Sequence, residues 1–203
     1  MKDTINWDDR YTRHDTPWDS GKHSLELERI LDEWSIEPCR MLEIGCGTGT
    51  NAVFLAQRGF EVTAVDVSEL AVEQARAKAK QAGVDIDLRV ANVVAGADLG
   101  PPFNLVFDRG VYHHLRNVDL WGFLTALARL TKPGRHYLTL TGNANDRHTP
   151  PNGGPPVVRT IEISTELTPL FDLVQLREFT FNGIVVEGEP IHPLAWSALF
   201  RRR

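Results

Sequence analysis

The chain carries three glycines at alternate positions, directly after a short apolar run. Residues 41–49 read MLEIGCGTG, and a helical pattern follows over 51–58. Glycine accepts positive φ and lets a ligand approach the backbone where a Cβ would collide. The helix beyond Gly49 offers N–H groups that have no partner within the helix. In an open α/β sheet, a loop of this kind borders the crevice in which ligands bind.

A carboxylate ends the next predicted strand. Asp66 lies 21 positions after Gly45 and can accept hydrogen bonds from both hydroxyls of a ribose. The dinucleotide pattern GxGxxG would need glycine where the chain has Thr50. Glu43, beside the loop, would repel a pyrophosphate but would suit a cationic amino-acid group or the waters around it. These residues favour S-adenosyl-L-methionine over NAD, and the alternative is a tight structural turn with Glu43 exposed.

A second group of polar residues follows the fourth predicted strand, in the segment DRGVYHHL at 108–115. Asp108 and Arg109 could orient the cofactor or each other. His113 is the best candidate for a general base, because an unperturbed imidazole pKa of about 6.5 allows proton transfer at neutral pH. The alternative interpretation is a neutral imidazole that bonds to backbone where a helix begins.

The composition is that of an ordinary globular chain. It has 203 residues, 42% of them hydrophobic and 24% charged, which suits one domain rather than a disordered or fibrous protein. A formal net charge of −5 argues against a nucleic-acid partner. Apolar runs are too short for a membrane span and no secretory signal is visible, so we expect a cytoplasmic protein with no membrane partner. Cys39, Cys46 and scattered histidines predict no metal site.

Short apolar runs alternate with helical segments, and these elements must position the polar groups. The pattern predicts an α/β fold, with a parallel sheet that is covered on both faces. Ser68 would cap one helix, which Gly83 would end. A loop rich in Gly, Pro and Asn is expected over 142–156. The predicted strands are 40–44, 60–65, 86–91, 103–107, 137–141, 172–181 and 195–201, and the predicted helices are 22–35, 51–58, 69–82, about 120–130 and 164–171.

Four segments resemble the class I S-adenosylmethionine-dependent methyltransferases. They are LEIGCGTG at 42–49, VTAVDVS at 62–68, FNLVFDRGVYHHL at 103–115 and PGRHYLTL at 133–140. The resemblance implies a Rossmann-like, seven-stranded, mostly parallel sheet with helices on both faces and an antiparallel last strand. It also implies methyl transfer as the activity and S-adenosyl-L-methionine as the cofactor.

The same resemblance assigns roles around the cofactor. Many members have Asp where this chain has Asn92, whose side-chain carbonyl can still accept a hydrogen bond from the adenine amino group. The implied contacts are Gly45, Gly47 and Gly49 for the methionine part, Asp66 and Val67 for the ribose and adenine, and Asn92 and Val93 flanking the adenine.

The N-terminal arm narrows the resemblance. Trp7, Tyr11 and Trp18 lie in a polar segment too short for its own core, and their rings could cover a nucleoside and attract a sulfonium. The alternative is that they only dock the arm onto the sheet. With TPWD at 16–19, the pattern resembles the thiopurine, thiol and halide methyltransferases and the related tellurite-resistance enzymes, whose arm closes over the cofactor. It implies that these three aromatics contact the cofactor, within a lid over 1–35 ahead of a core over 36–203.

The resulting hypothesis is an S-adenosylmethionine-dependent methyltransferase for a small-molecule acceptor, most naturally sulfur or another chalcogen. A thiolate or selenide arrives already ionised, so positioning and water exclusion suffice. The alternative is a small-molecule O- or N-methyltransferase with His113 as base. Thr50 and Glu43 disfavour a nicotinamide-dependent oxidoreductase. A non-enzymatic sensor of the cofactor stays open, as does the choice between monomer and homodimer.

Overall fold

The computed structural model describes residues 5–147, 155–182, 184–186 and 189–203, which form alternating helices and strands. Part of the predicted loop 142–156 therefore lies outside the described residues, at 148–154. The helices are α1 (Trp7–Thr12), α2 (Leu25–Glu33), α3 (Thr50–Gln57), α4 (Glu69–Ala82), α5 (Tyr112–Leu130) and α6 (Thr160–Leu167). The strands are β1 (Arg40–Ile44), β2 (Glu61–Asp66), β3 (Asp87–Val90), β4 (Phe103–Arg109), β5 (Thr131–Gly142), β6 (Phe171–Thr180), β7 (Ile184–Val186), β8 (Glu189–Ile191) and β9 (Leu194–Arg202).

Seven of these strands form one sheet in the order β3-β2-β1-β4-β5-β9-β6. The pairs β1–β2, β2–β3 and β4–β5 are parallel, whereas β9 runs antiparallel to both β5 and β6. This order confirms the predicted Rossmann-like, mostly parallel, seven-stranded sheet with an antiparallel last strand. The remaining strands, β7 and β8, pair with each other as an antiparallel hairpin that the sequence analysis did not predict.

The chain packs as two compact units. The first comprises Met1–Asn92 with Asn182–His192, and the second comprises Val93–Phe181 with Pro193–Arg203. The proposed lid over 1–35 falls within the first unit. The core of the first unit is aliphatic, with fully buried side chains on α2, α3, α4, β1 and β2. These side chains include Leu27, Ile30, Met41, Leu42, Leu55, Ala64, Val72 and Ala75.

Three aromatic rings on adjacent strands form the centre of the second unit. The ring centroid of Tyr137 on β5 lies 6.2 Å from that of its register partner Phe200 on β9. Phe171 on β6 lies 5.7 Å from Tyr137 and 6.2 Å from Phe200. All three side chains are fully buried, so these contacts stabilise the antiparallel end of the sheet.

Side-chain contacts explain two of the differences from the predicted elements, whereas α5 and β5 also begin earlier than predicted, at Tyr112 and Thr131. The sequence analysis missed α1, whose first turn is capped because Asn6 Oδ1 accepts a hydrogen bond from the Asp9 N–H at 3.3 Å. Helix α6 begins four residues earlier than predicted, since Glu162 Oε2 accepts a hydrogen bond from the Arg159 N–H at 2.8 Å. The predicted ends of α4 are confirmed. Ser68 Oγ accepts from the Ala71 N–H at 3.1 Å, and Gly83 has a φ of +68°.

The glycine loop packs closely against α4, and the contact can be tested by measuring the free energy of unfolding. Gly49 has a φ of +78°, and a Cβ there would lie 2.8 Å from the Cβ of Ala75. We expect Gly49→Ala to lower the free energy of unfolding by roughly 2–5 kcal/mol. About 1–2 kcal/mol of this comes from the left-handed backbone and about 1–3 kcal/mol from overpacking. Urea denaturation measures the loss.

Gly83→Ala is the matched control, because its φ is also positive and a Cβ there would meet no described atom within 4 Å. Only the backbone cost, about 1–2 kcal/mol, should appear in that variant. Adding Ala75→Gly to Gly49→Ala should recover part of the packing loss. Equal losses in Gly49→Ala and Gly83→Ala would contradict the close contact with Ala75.

Candidate functional site

The glycine loop joins β1 to α3 through backbone conformations that favour glycine. Gly45, Gly47 and Gly49 have φ values of +67°, +55° and +78°. The Cys46 N–H donates to the carbonyl oxygen of Val65 on β2 at 3.0 Å, and the Gly49 N–H donates to the Cys46 carbonyl at 3.0 Å. The loop is therefore fixed at the carboxyl end of β2, where Asp66 lies.

Asp66 accepts hydrogen bonds from the backbone of two segments, the glycine loop and the N-cap of α4. Its Oδ2 accepts a hydrogen bond from the Gly47 N–H at 2.9 Å, and its Oδ1 accepts from the Ser68 N–H at 3.0 Å. Burial raises the pKa of this carboxyl group, and the N–H donors of Ser68, Gly47 and Val67 oppose that rise. A carboxylate offers about four acceptor positions, so two backbone bonds leave capacity for ribose hydroxyls.

The three predicted arm aromatics lie together, and one of them reaches the glycine loop. The ring centroid of Trp18 lies 5.8 Å from that of Trp7 and 6.4 Å from that of Tyr11. Tyr11 is buried, and its hydroxyl lies 3.0 Å from the position that a Cβ on Gly47 would take. The guanidinium carbon of Arg10 lies 4.8 Å from the Trp18 ring centroid, a cation–π contact within the arm.

Polar contacts that the sequence analysis missed connect the arm to the loop. Asp19, the last residue of TPWD, accepts a hydrogen bond from Thr48 Oγ1 at 2.5 Å and one from Thr50 Oγ1 at 3.5 Å. The Nζ of Lys78 donates to both threonine hydroxyls at 2.6 Å. Farther along, Ser68 Oγ donates to Asp8 Oδ1 at 2.5 Å. We call Asp19, Thr48, Thr50 and Lys78 the arm latch. The threonines that flank Gly49 were the available signal.

Glu43 lies in the interior of the first unit. Its side chain is only 1% exposed, which contradicts the alternative of a structural turn with Glu43 exposed. Its Oε1 accepts a hydrogen bond from Asn51 Nδ2 at 3.3 Å, a partner that the sequence analysis missed. Two other predicted contacts, Val67 after β2 and Asn92 after β3, are exposed.

In the second unit, Asp108 is completely buried and bonded to protein groups. Its Oδ1 accepts from the N–H groups of Val111 and Tyr112 at 2.9 and 3.0 Å, and its Oδ2 accepts from the Tyr137 hydroxyl at 2.7 Å. Burial raises the pKa of the carboxyl group, against the effect of these donors. Asp108 thereby caps α5. Its predicted contact with the cofactor stays a prediction.

His113 lies in the first turn of α5 and is almost fully buried. Its Nδ1 accepts a hydrogen bond from the Gly142 N–H at 3.1 Å, so a neutral ring carries its proton on Nε2. Burial lowers the pKa of the imidazole well below its ordinary value, and the nearby charges of His114 and Arg109 lower it further. This geometry favours the neutral, backbone-bonded imidazole and makes Nε2–H a hydrogen-bond donor. The role of general base stays a prediction.

The other predicted residues of the second unit have protein contacts of their own. The guanidinium carbon of Arg109 lies 4.8 Å from the ring centroid of Phe181, and Val93 is buried. The sequence analysis missed a network in which Glu166 Oε2 accepts from the Tyr112 hydroxyl at 2.7 Å and from Arg116 Nε at 3.0 Å. The partners are 54 and 50 positions apart, so no spacing pattern could reveal them.

Two further searches cover the described residues only. Within that part of the chain, no three or more His, Cys, Asp or Glu side chains are grouped so that they could hold a metal ion. None of the described helices has the length and apolar character required to cross a membrane.

A family model described as a methyltransferase domain matches residues 41–134. The matched segment contains the glycine loop, Asp66, Asp108 and His113. The match confirms the predicted methyltransferase domain, with S-adenosyl-L-methionine as its cofactor. Gly47 has a φ of +55°, and a Cβ there would lie 3.0 Å from the Tyr11 hydroxyl, so this position favours glycine.

One known relative is similar to part of this chain. The ubiquinone biosynthesis O-methyltransferase of Brucella anthropi is 38% identical over 95 residues, which are 47% of this chain and 38% of that protein. The chain thus spans less than two-fifths of the length of that relative.

Two solved structures share the fold across nearly the whole chain. One comes from work on the conversion of a disulfide bond into a thioacetal group during echinomycin biosynthesis. Its TM-score is 0.82 at 24% identity, over 96% of this chain and 89% of that one. The other is the 1,6-didemethyltoxoflavin-N1-methyltransferase of Burkholderia thailandensis, with a TM-score of 0.75 at 17% identity, over 97% and 85% of the two chains.

The bond to the Gly142 N–H predicts how stability depends on pH. Below about pH 6.5 the unfolded chain takes up a proton on this histidine while the folded protein does not, so stability falls as the pH falls. His113→Asn keeps an acceptor near the Nδ1 position but cannot titrate. We expect the variant to lose less stability than the wild type, by up to about 1.4 kcal/mol per pH unit below about 6.5.

Urea denaturation at pH 8, 6.5 and 5.5 measures this difference. The pH 8 data serve as the internal control, because both side chains are neutral there. Parallel pH profiles for the two proteins would show that His113 is not held neutral in the folded state.

Proposed function

We propose that the whole chain is an S-adenosyl-L-methionine-dependent methyltransferase that acts on a small-molecule acceptor, with sulfur or another chalcogen as the attacking atom. The observation that carries the proposal is the pair of hydrogen bonds that Asp66 accepts from the N–H groups of Gly47 and Ser68. These bonds fix a carboxylate beside a loop of positive-φ glycines. The proposal includes a cytoplasmic location and no membrane partner. It also includes no nucleic-acid partner, which the formal net charge of −5 supports.

The proposed cofactor contacts follow the chemistry of each part of the ligand. Asp66 would accept hydrogen bonds from the ribose hydroxyls, with Val67, Asn92 and Val93 against the adenine. The buried carboxylate of Glu43 would face the ammonium of the methionine part beside Gly45, Gly47 and Gly49. Asp108 and Arg109 would act as orienting groups. When bound, the cofactor supplies an electrophilic methyl group on a sulfonium for in-line displacement.

We propose that residues 1–35 form a lid over the cofactor, with Trp7, Tyr11 and Trp18 as its aromatic contacts. The lid would exclude water, and its rings would stabilise the sulfonium charge. The support is the placement of Tyr11 beside Gly47 and the arm latch, which bonds Asp19 to both threonines of the loop.

The environment of His113 favours an acceptor that does not need a base. Its Nδ1 lone pair is bonded to the Gly142 N–H, and its protonation is disfavoured by burial. A thiolate or selenide is ionised at neutral pH or nearly so, whereas a phenol or amine must lose a proton. The structure from echinomycin biosynthesis adds a sulfur precedent in the same fold.

The second candidate is a small-molecule O- or N-methyltransferase in which His113 acts as general base. The observation that favours it is the 38% identity to an O-methyltransferase over residues that span under half of this chain. The N1-methyltransferase of Burkholderia thailandensis is a precedent for nitrogen in the same fold.

Calorimetry with S-adenosylhomocysteine tests the cofactor site. We expect the wild type to bind, and Asp66→Asn to weaken binding about 10- to 100-fold. The ribose hydroxyls would then lose hydrogen bonds to a charged acceptor worth about 1.5–3 kcal/mol. Asp19→Asn, which breaks the arm latch, should weaken binding about 3- to 10-fold, since it removes charge-assisted bonds that hold the lid.

Asp172→Asn is the matched control, because the half-buried carboxylate of Asp172, on β6, accepts a hydrogen bond from Arg203 Nε at 2.8 Å. It should bind like the wild type. Wild-type protein that is folded and gives no binding heat would overturn the proposed cofactor site. Normal binding by Asp19→Asn would remove the latch from the proposal and leave the rest.

A panel of acceptors with labelled S-adenosyl-L-methionine tests the acceptor class. We expect transfer to thiols, selenite or tellurite, and we expect His113→Asn to retain at least a third of the wild-type rate on them. Transfer only to phenols or amines, abolished by His113→Asn, would establish the second candidate. Cofactor binding with transfer to no acceptor would favour the sensor.

A further inference from the structure

We propose that Asn51 is a positioning residue that holds the carboxylate of Glu43 toward the ammonium of the bound methionine group. This inference rests on the proposed function. Asn51 Nδ2 donates to Glu43 Oε1 at 3.3 Å, and Asn51 Oδ1 accepts from the Ser24 N–H at 2.9 Å. The side-chain amide thus connects the start of α2 to a carboxylate near the carboxyl end of β1.

The orientation of the Asn51 amide is fixed by its two partners. A backbone N–H can only donate, so the side-chain oxygen must face Ser24. The NH₂ group then faces Glu43 Oε1, which accepts its hydrogen bond. Neither end can be exchanged without placing two donors or two acceptors together.

The anchor at Ser24 is itself rigid. Ser24 is the N-cap of α2, and its Oγ accepts a hydrogen bond from the Leu27 N–H at 3.4 Å. Its side chain is 2% exposed. On the other side, Asn51 is the second residue of α3, directly after the glycine loop. The amide is therefore held between the first turns of α2 and α3, and it has one orientation toward Glu43.

Glu43 needs such a partner because its charge is buried. A carboxylate that is 1% exposed depends on nearby donors to remain ionised. Its negative charge reaches the glycine loop, where burial first and Glu43 second raise the pKa of the Cys46 thiol. A cation bound at the loop would be attracted by the same field, and Asn51 sets the direction of the carboxylate that creates it.

The test compares two ligands that differ in the methionine part. S-Adenosylhomocysteine carries the amino-acid group, whereas 5′-deoxy-5′-methylthioadenosine has only a methyl group there. If Asn51 acts through Glu43, Asn51→Ala should weaken S-adenosylhomocysteine binding about 10-fold and methylthioadenosine binding less than about 2-fold. In the background of Glu43→Gln, Asn51→Ala should cause no further loss beyond about 2-fold. Calorimetry measures all of these affinities.

Asn182→Ala is the matched control. This second amide bonds the residues on either side of Ser24, with Nδ2 donating to the His23 carbonyl at 3.0 Å and Oδ1 accepting from the Leu25 N–H at 3.3 Å. Its removal should disturb the start of α2 while the bond from Asn51 to Glu43 stays in place. It should leave the ratio of the two affinities unchanged. Should Asn51→Ala fail to fold, Asn51→Asp keeps the shape, opposes a carboxylate to Glu43, and should show the same selective loss.

The outcomes separate this inference from the proposed function. Equal weakening of both ligands, or no weakening of S-adenosylhomocysteine, would overturn the role of Asn51 and leave the proposed function intact. A folded wild type that binds neither ligand would overturn both. A selective loss that persists undiminished in the Glu43→Gln background would show that Asn51 acts independently of Glu43, contrary to the inference.

Discussion

The candidate site of the first unit depends on the two hydrogen bonds that the carboxylate of Asp66 accepts from backbone N–H groups. One oxygen accepts from the N–H of Gly47 and the other from the N–H of Ser68, so a single side chain joins the glycine loop to the start of α4. The positive φ at Gly47 favours glycine there, and a Cβ on Gly49 would lie 2.8 Å from that of Ala75, so residue 75 must be small. Substitutions in the loop therefore disturb its packing against the arm and α4.

The arm and the loop are connected by hydrogen bonds between two opposite charges and two threonine hydroxyls. Asp19 and Lys78 share the hydroxyls of Thr48 and Thr50, so an acid on the arm and a base on α4 meet through two neutral groups. Hydrogen bonds of this kind are directional and break without leaving a large unpaired charge in an apolar interior.

Local patterns predicted most of the fold and part of the site. The alternation of strands and helices, the glycine loop and the caps of α4 depend on neighbours in the sequence, and they were predicted correctly. The partners of Glu43 and Asp19 depend on contacts between residues 8 to 31 positions apart, for which hydrophobic periodicity carries no information. The bounds of α6 shifted because one glutamate side chain, Glu162, caps the helix start.

His113 shows why residue type alone does not define a chemical role. The sequence offers an imidazole whose ordinary pKa suits a base, and the fold then bonds its Nδ1 to the Gly142 N–H. That bond needs a lone pair on Nδ1, so the proton of the neutral ring lies on Nε2, and burial opposes a second proton. An imidazole in this state can donate a hydrogen bond to an anionic nucleophile but has no lone pair to deprotonate a neutral one. The proposed preference for an ionised acceptor thus rests on a backbone contact 29 residues away from the histidine in the sequence.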